Sequence, residues 1–184
     1  MTVPGLTCVS DYLTQGEQDA LLATIDSLPW RGDLRRRVQH YGYRYDYTKR
    51  NVDRESYLGP LPPWAATLAT RLHTDGHVPG ALNQLIVNEY QPGQGISSHI
   101  DCVPCFADTI ISLSLGSACL FTMRLDETKV DIPLAPGSLL IMSGDSRYKW
   151  RHEIAPRKSD LINGTRTPRA RRVSLTYRTV LTEN

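Results

Sequence analysis

The pattern of apolar and polar positions changes its period along the chain. Behind Thr14-Gln-Gly-Glu17, which fits a capping box, Ala20, Leu21, Leu22, Ile25 and Leu28 recur at helical spacing and predict a helix over about 15–28. A second helix is predicted after Pro62-Pro63, where Trp64, Leu68 and Leu72 repeat at fourth positions and Gly76 closes the run. Between the two, RRRVQHYGYRYDY alternates polar and aromatic residues with a period of two, which suggests a hairpin or an extended lid. From residue 84 onward the texture becomes short apolar segments of strand length: QLIVNEY, DTIISLSLG, ACLFTMRL, KVDIPL, GSLLIMSG and RRVSLTYRTV. Turn signals such as PGQG, LDET and APGS separate several of them. This predicts an antiparallel sandwich or barrel over about 84–180, with its helices mostly in front of it. The stretch EIAPRKSDLINGTRTPRA, residues 153–170, is expected to be a mobile loop.

Composition adds bounds. A chain of 184 residues with 40% apolar residues suffices for one domain, 1–184, with a full core. The amino terminus has no basic region followed by a long apolar run, and no stretch reaches the ~18 apolar residues a membrane helix needs. A soluble cytoplasmic protein, monomeric and without a membrane partner, is therefore expected. In that setting Cys8, Cys102, Cys105 and Cys119 are expected as free thiols.

The net charge of +2 conceals a segregation. Residues 31–50 carry seven bases against two acids and residues 147–178 carry ten against two, while residues 51–146 carry four against ten. If the two basic blocks meet in the fold they form a positive face suited to a polyanion. Charge counts alone do not separate that from scattered solvated arginines.

Candidate chemistry centres on His99-Ile-Asp-Cys-Val-Pro-Cys105. On a strand, His99 and Asp101 point to one side and can share a cation. Alone, such a pair occurs often by chance. Of the other histidines, His40, His73, His77 and His152, only His152 follows the strand segments, and it would complete a two-His, one-carboxylate face with open positions for a cosubstrate and O2, as non-haem Fe(II) oxygenases require. The strand RVSLTYR places Arg172 and Arg178 six apart and so on one side, opposite Val173, Leu175 and Tyr177. Two inward arginines need anions, and a small dicarboxylate satisfies both. Arg169 and Arg171, of the other parity, are expected at solvent or nucleic acid. Cys102 and Cys105 lack a second Cys or His pair for zinc, and the strand-like DTIISLSLG that follows them argues against a redox dithiol.

The combination NEYQPGQGISSHID, GDSRYKWRH and RRVSLTYR resembles the AlkB family of Fe(II)/2-oxoglutarate dioxygenases, and RRVQHYGYRYDY is similar to the AlkB domain of animal tRNA wobble-uridine hydroxylases. The resemblance implies a mostly β protein, a double-stranded β-helix (jelly-roll) core with N-terminal helices, and a nucleotide-recognition lid at about 31–50. It implies His99, Asp101 and His152 as Fe(II) ligands. Asn88, Tyr90, Arg172 and Arg178 would bind 2-oxoglutarate, with Arg178 near its C1 carboxylate and Tyr90 and Arg172 at the distal one; O2 is the oxidant. On this likeness a C–H bond next to a base nitrogen would be oxidised with loss of formaldehyde, and one on carbon would keep its hydroxyl.

Nucleic acid, DNA or RNA and in particular tRNA, is the expected partner. The lid's rings and arginines suit an extruded base and its phosphates. The substrate contacts expected are His40, Tyr41, Tyr43, Arg44, Val103 and Arg147. Val103 stands where DNA-repairing members carry an acidic residue, which argues against 1-methyladenine or 3-methylcytosine repair. A hydroxylase of a protein or small molecule would need the same iron and 2-oxoglutarate residues without the basic lid. A non-enzymatic barrel would not couple the two.

Overall fold

In the computed structural model, which describes residues 2–32, 35–49 and 51–181, regular structure begins with β1 (Leu6–Val9), α1 (Gln15–Asp26), β2 (Val38–Tyr41) and α2 (Pro63–Thr74). Asp33, Leu34 and Arg50 of the expected lid, and the ends of the 1–184 span, lie outside the described residues. The chain continues through β3 (Gln84–Tyr90), β4 (Ile96–His99), β5 (Ile110–Gly116), β6 (Cys119–Leu125), β7 (Thr128–Leu134) and β8 (Leu139–Met142). It ends with α3 (Gly144–Tyr148), β9 (Arg151–Ile154), β10 (Ser159–Ile162), β11 (Thr165–Pro168) and β12 (Arg172–Arg178). Thr14 caps α1 as expected, its side chain accepting from the Glu17 amide while Glu17 reaches back to the Thr14 amide. A cap of this kind is worth about 1 kcal/mol.

The strands form two antiparallel sheets and a small hairpin. The large sheet runs β1-β8-β5-β12-β3-β2, the second β4-β9-β6-β7, and β10 pairs only with β11. Strand parity in the large sheet decides what each face does. Leu85 and Val87 of β3, Ile111, Leu113 and Leu115 of β5, and Val173, Leu175 and Tyr177 of β12 pack with Ile25 of α1 and Leu68 and Leu72 of α2. The Tyr177 hydroxyl donates to the Ala65 carbonyl at 3.1 Å, tying β12 to α2. The other face turns toward the second sheet, where Ile110, Leu140 and Met142 meet Phe121, Met123, Trp150 and Ile154. At inner positions of β3, β5 and β12, however, stand Asn88, Ser112, Ser114, Arg172, Ser174 and Arg178, all buried. Polar groups on both-sides-covered strands are costly unless partnered, so this stripe marks a cavity rather than a dry core.

Three expectations change. Residues 153–170 are not a mobile loop: β10 and β11 form a hairpin whose turn residues Asn163 and Gly164 have φ of 50° and 79°, the left-handed pair an Asn-Gly hairpin turn requires. Arg169, expected at solvent, is buried and grips both carboxylate oxygens of Asp160, whose Oδ2 also accepts the Leu120 amide of β6. Arg171, half-exposed, is also engaged within the chain, pairing with Asp26 and Glu89. Among the described residues of the expected lid, only 38–41 form a strand, an edge strand on β3. Beyond it Gly42, at φ 76°, turns the chain where a Cβ would overlap the Asn83 carbonyl, and the lid continues through isolated bridges, Tyr43 with Tyr57 and Asp46 with Asn51.

Candidate active site

The two sheets enclose a cavity of about 590 Å³ lined by His99, Asp101, His152, Asn88, Tyr90, Arg172 and Arg178 together with residues of the 35–47 segment. His99 closes β4 and lies directly opposite His152 of β9, across a bulge that follows Ile96. Their rings are 4.2 Å apart, and Phe121 of β6 stacks on His152 at 5.3 Å. Asp101 lies just beyond the strand rather than on it, yet returns its carboxylate to the same side, with Oδ1 3.4 Å from His99 Nε2. One donor atom from each of the three lies within 4.8 Å of the others, a cluster that can hold a metal ion.

Protonation suits a ligand set. His99 Nδ1 stands 2.7 Å from the Ser97 carbonyl, which holds a proton on that nitrogen and leaves Nε2 as the free donor. Burial, reinforced by the neighbouring His99, pushes His152 down to about 3, so its imidazole is neutral near pH 7. Burial alone would raise the Asp101 carboxyl; Arg178, with help from His99 and His152, overcomes it and holds the group well below the usual carboxylate range. Arg178 Nε donates to Asp101 Oδ2 at 3.0 Å. The Phe106 ring lies 4.9 Å from its guanidinium.

Arg172, at the other end of the β12 face, is differently placed. Its Nη2 donates to Ser114 Oγ at 2.9 Å, while Nε and Nη1 are buried and have no partner. Such orphaned donors cost free energy unless a ligand accepts from them. Two nitrogen donors and one carboxylate for a divalent iron, and a buried guanidinium edge awaiting an anion, fit Fe(II) and the dicarboxylate 2-oxoglutarate.

The expected substrate residues fall elsewhere. Tyr41 faces the helix layer, its ring 5.5 Å from Trp64, because it alternates with His40 on β2. His40 lies behind the cavity wall against the Tyr47 ring, and its Nδ1 accepts the Tyr45 amide. Tyr43 stacks on Tyr57, and Arg44 is exposed and does not line the cavity. Val103 is 47% exposed outside the cavity. Cys102 and Cys105, expected as thiols, are joined by a disulfide that closes the turn and throws Val103 outward; Cys8 and Cys119 are free. Arg147 is buried and donates to the carbonyls of Asp101, Cys102 and Phe106, so it braces the loop that carries Asp101. The cavity mouth is instead lined by Arg35, Arg36, Tyr45, Tyr47 and Arg151. The two basic blocks do meet there, though through three arginines rather than a broad face.

The family model described as the 2OG-Fe(II) oxygenase superfamily matches residues 5–178. The chain belongs to that superfamily. Within it the likeness is to AlkB enzymes. An Arabidopsis thaliana protein named an alkylated DNA repair protein ALKBH8 homolog is 37% identical over 98% of this chain and 59% of its own length. The mouse tRNA (carboxymethyluridine(34)-5-O)-methyltransferase ALKBH8 is 37% identical over 88% of this chain and 26% of its own length. The chain thus spans well under two thirds of these relatives. Among solved structures, that of OsALKBH1 covers 97% of this chain at a TM-score of 0.73 and 17% identity, which shows the shared jelly-roll. As an AlkB-type oxygenase the protein uses Fe(II), 2-oxoglutarate and O2. Among the described residues, no helix is long and apolar enough to cross a membrane.

Proposed function

We propose that this AlkB-type oxygenase acts on nucleic acid, oxidising a modified base either by removing an N-alkyl group from DNA or RNA or by hydroxylating a modified base of tRNA. The observation that carries this is the cavity mouth: Tyr45 and Tyr47 offer ring faces, and Arg35, Arg36 and Arg151 offer cations, over the same cavity that contains the metal-ligand cluster. Flat rings beside arginines suit a base taken out of its stack with its phosphates. The names of the two relatives point the same way, one toward alkylated DNA and one toward tRNA. A monomer working in the cytoplasm goes with this reading.

In it, His99, Asp101 and His152 hold Fe(II). Asn88, Tyr90, Arg172 and Arg178 would hold 2-oxoglutarate, Arg172 and Tyr90 through its distal carboxylate and Arg178 near its C1 carboxylate, while Arg178 neutralises Asp101. Held there, Fe(II) and 2-oxoglutarate would supply the oxidising chemistry, with O2, for attack on a C–H bond. The protein's own share is electrostatic and steric. Arg178 keeps Asp101 ionised, burial keeps His152 unprotonated, Phe121 covers the His152 ring and Phe106 covers the Arg178 guanidinium. The lid rings would set which carbon of the base faces the iron.

The test is mass spectrometry of nucleosides from tRNA and from alkylated DNA after incubation with the protein, Fe(II) and 2-oxoglutarate. Loss of a methyl mass identifies dealkylation, and gain of an oxygen mass identifies hydroxylation. Turnover of neither polymer, with succinate formed on a peptide or small molecule whose rate ignores salt and the Arg35→Ala/Arg151→Ala replacement, overturns the nucleic-acid reading.

A further inference from the structure

The mouth of the cavity and its deep wall meet at one polar contact. Arg36 Nε donates to Asn88 Oδ1 at 3.0 Å. The same guanidinium lies between two rings, its Cζ 5.9 Å from the Tyr47 centroid and 5.8 Å from the Tyr90 centroid. Tyr90 is in turn shared with Arg172, whose Cζ is 5.4 Å from that ring. A row of Tyr47, Arg36, Tyr90 and Arg172 therefore runs from the lid to the guanidinium edge left unpartnered in the wall. Tyr47 ends the row with a hydroxyl that is itself buried and without a partner.

The chemistry of this contact fixes the direction of the Asn88 amide. A guanidinium has only donors, so the Asn88 carbonyl oxygen must face Arg36, and the amide NH2 is what Asn88 has left for an acceptor in the cavity. Without Arg36 the amide has no such constraint and can present its oxygen, which would repel a carboxylate.

We propose that Arg36 is a positioning residue for 2-oxoglutarate: by holding the Asn88 oxygen it aims the Asn88 amide N–H at the cosubstrate, and it clasps the 35–47 segment to the cosubstrate wall. Closure of the lid and occupancy of the wall then support one another, since a free-energy coupling between two sites acts equally in both directions. Arg36 would thus order the reaction, making the mouth fit to receive a base once the cosubstrate is in place. The inference rests on reading the Asn88, Tyr90 and Arg172 wall as the 2-oxoglutarate site.

The experiment is an anaerobic titration of the Fe(II) protein with 2-oxoglutarate, followed by the metal-to-ligand charge-transfer band and by calorimetry with Mn(II) in place of iron. Arg36→Met keeps the aliphatic stem between the rings and removes the donors; it should raise the 2-oxoglutarate Kd about tenfold, the size of one charge-assisted hydrogen bond. Arg36→Ala should do the same, Arg36→Lys should recover part of the affinity, and the position of the band should not move. Asn88→Ala should show a similar rise, and the double replacement Arg36→Met/Asn88→Ala should be no weaker than Asn88→Ala alone. Unchanged Mn(II) affinity without 2-oxoglutarate shows that each variant retains the metal cluster. A wild-type Kd in Arg36→Met, or losses at Arg36 and Asn88 that add, overturns the positioning role. A wild-type protein that gives no band at all overturns instead the cosubstrate reading beneath it.

Discussion

The deep wall of the cavity and its mouth are built by different means. Most wall residues stand on strands whose two faces are both covered, Asn88 and Tyr90 on β3 and Arg172 and Arg178 on β12, while His152 is on the buried face of β9, whose other face carries the exposed Arg151. Backbone register sets where they point, and β12 is held on both sides, by β3 and β5. The mouth residues Arg35, Arg36, Tyr45 and Tyr47 lie outside regular strands, kept in place by side-chain contacts and single bridges. Two of the three candidate ligands, His99 and His152, sit on strands where register fixes them, with Asp101 just beyond β4, and the groups that must admit a large substrate sit where fewer backbone bonds constrain them.

The comparison predicts losses of unequal kind. His152→Ala removes one of the three proposed metal ligands, and Arg178→Ala leaves a buried Asp101 without its arginine partner; each should abolish succinate formation. Arg178→Ala should also cost about 3–5 kcal/mol of stability, because an unpaired buried carboxylate remains. Normal turnover in either variant would detach the chemistry from this wall. Next in size is a purely structural effect. Asp160→Ala would leave Arg169 buried and unpaired and remove the acceptor for the Leu120 amide, costing a similar 3–5 kcal/mol in denaturant unfolding. Iron and 2-oxoglutarate affinities at low temperature should be unchanged, and a loss there would mean that the β10–β11 hairpin shapes the wall.

A smaller and more selective effect is expected at the mouth. Tyr45→Ala and Tyr47→Ala should each raise the KM for a nucleic-acid substrate roughly tenfold, since stacking of a base on a ring is worth about 1–3 kcal/mol. Succinate formed in the absence of that substrate should persist. If instead both activities fall together, the two rings belong to the wall and the division drawn here is wrong.

The same division explains what the sequence could reveal. Where a strand is buried on both faces, polar and apolar residues alternating along it mark a polar side and a dry side, and the alternation in RVSLTYR, with Arg172 and Arg178 opposite Val173, Leu175 and Tyr177, carried that message. Arg172 and Arg178 were legible for this reason. His99, Asp101 and His152 needed the family resemblance as well, because the His99–Asp101 pair alone occurs often by chance and His152 comes from a separate strand with no local spacing to it. The mouth was not legible. His40 and Tyr41 are neighbours on a strand and cannot share a face, and parity from Asn88 through its partner Val38 to Arg36 was the available signal. After Gly42 the chain leaves regular geometry and parity has no force, so Tyr43 turns to Tyr57 while Tyr45 and Tyr47 reach the cavity. Arg147 was misassigned because its partners are carbonyls, which every residue has. The Asn163-Gly164 turn, by contrast, was a local signal that the polar composition around it obscured.

The last and smallest effect concerns pH, and it separates burial from exposure within the wall itself. His152 titrates near 3 in the folded protein against an ordinary 6.5, so the folded state refuses a proton that the unfolded chain accepts. The unfolded state therefore binds more protons throughout that interval, and stability must decline as pH falls from 6.5 toward 3. Asp160 and Glu89 add to the decline only lower down. Burial would raise both, but Arg169 for the first and Arg37 and Arg171 for the second hold them below the usual carboxylate range, so their contribution is full above that range and lost as pH falls through it. Between pH 6.5 and 4.5 the carboxylates are silent and His152 acts alone among these groups. The melting temperature of the metal-free protein should drop across that window by a few degrees, on the scale of about 4 °C or less per kcal/mol for a chain of this size, and that of His152→Gln should drop less. Parallel slopes for the two proteins would mean that water reaches His152, and that the ligand side of the wall is as open as the mouth.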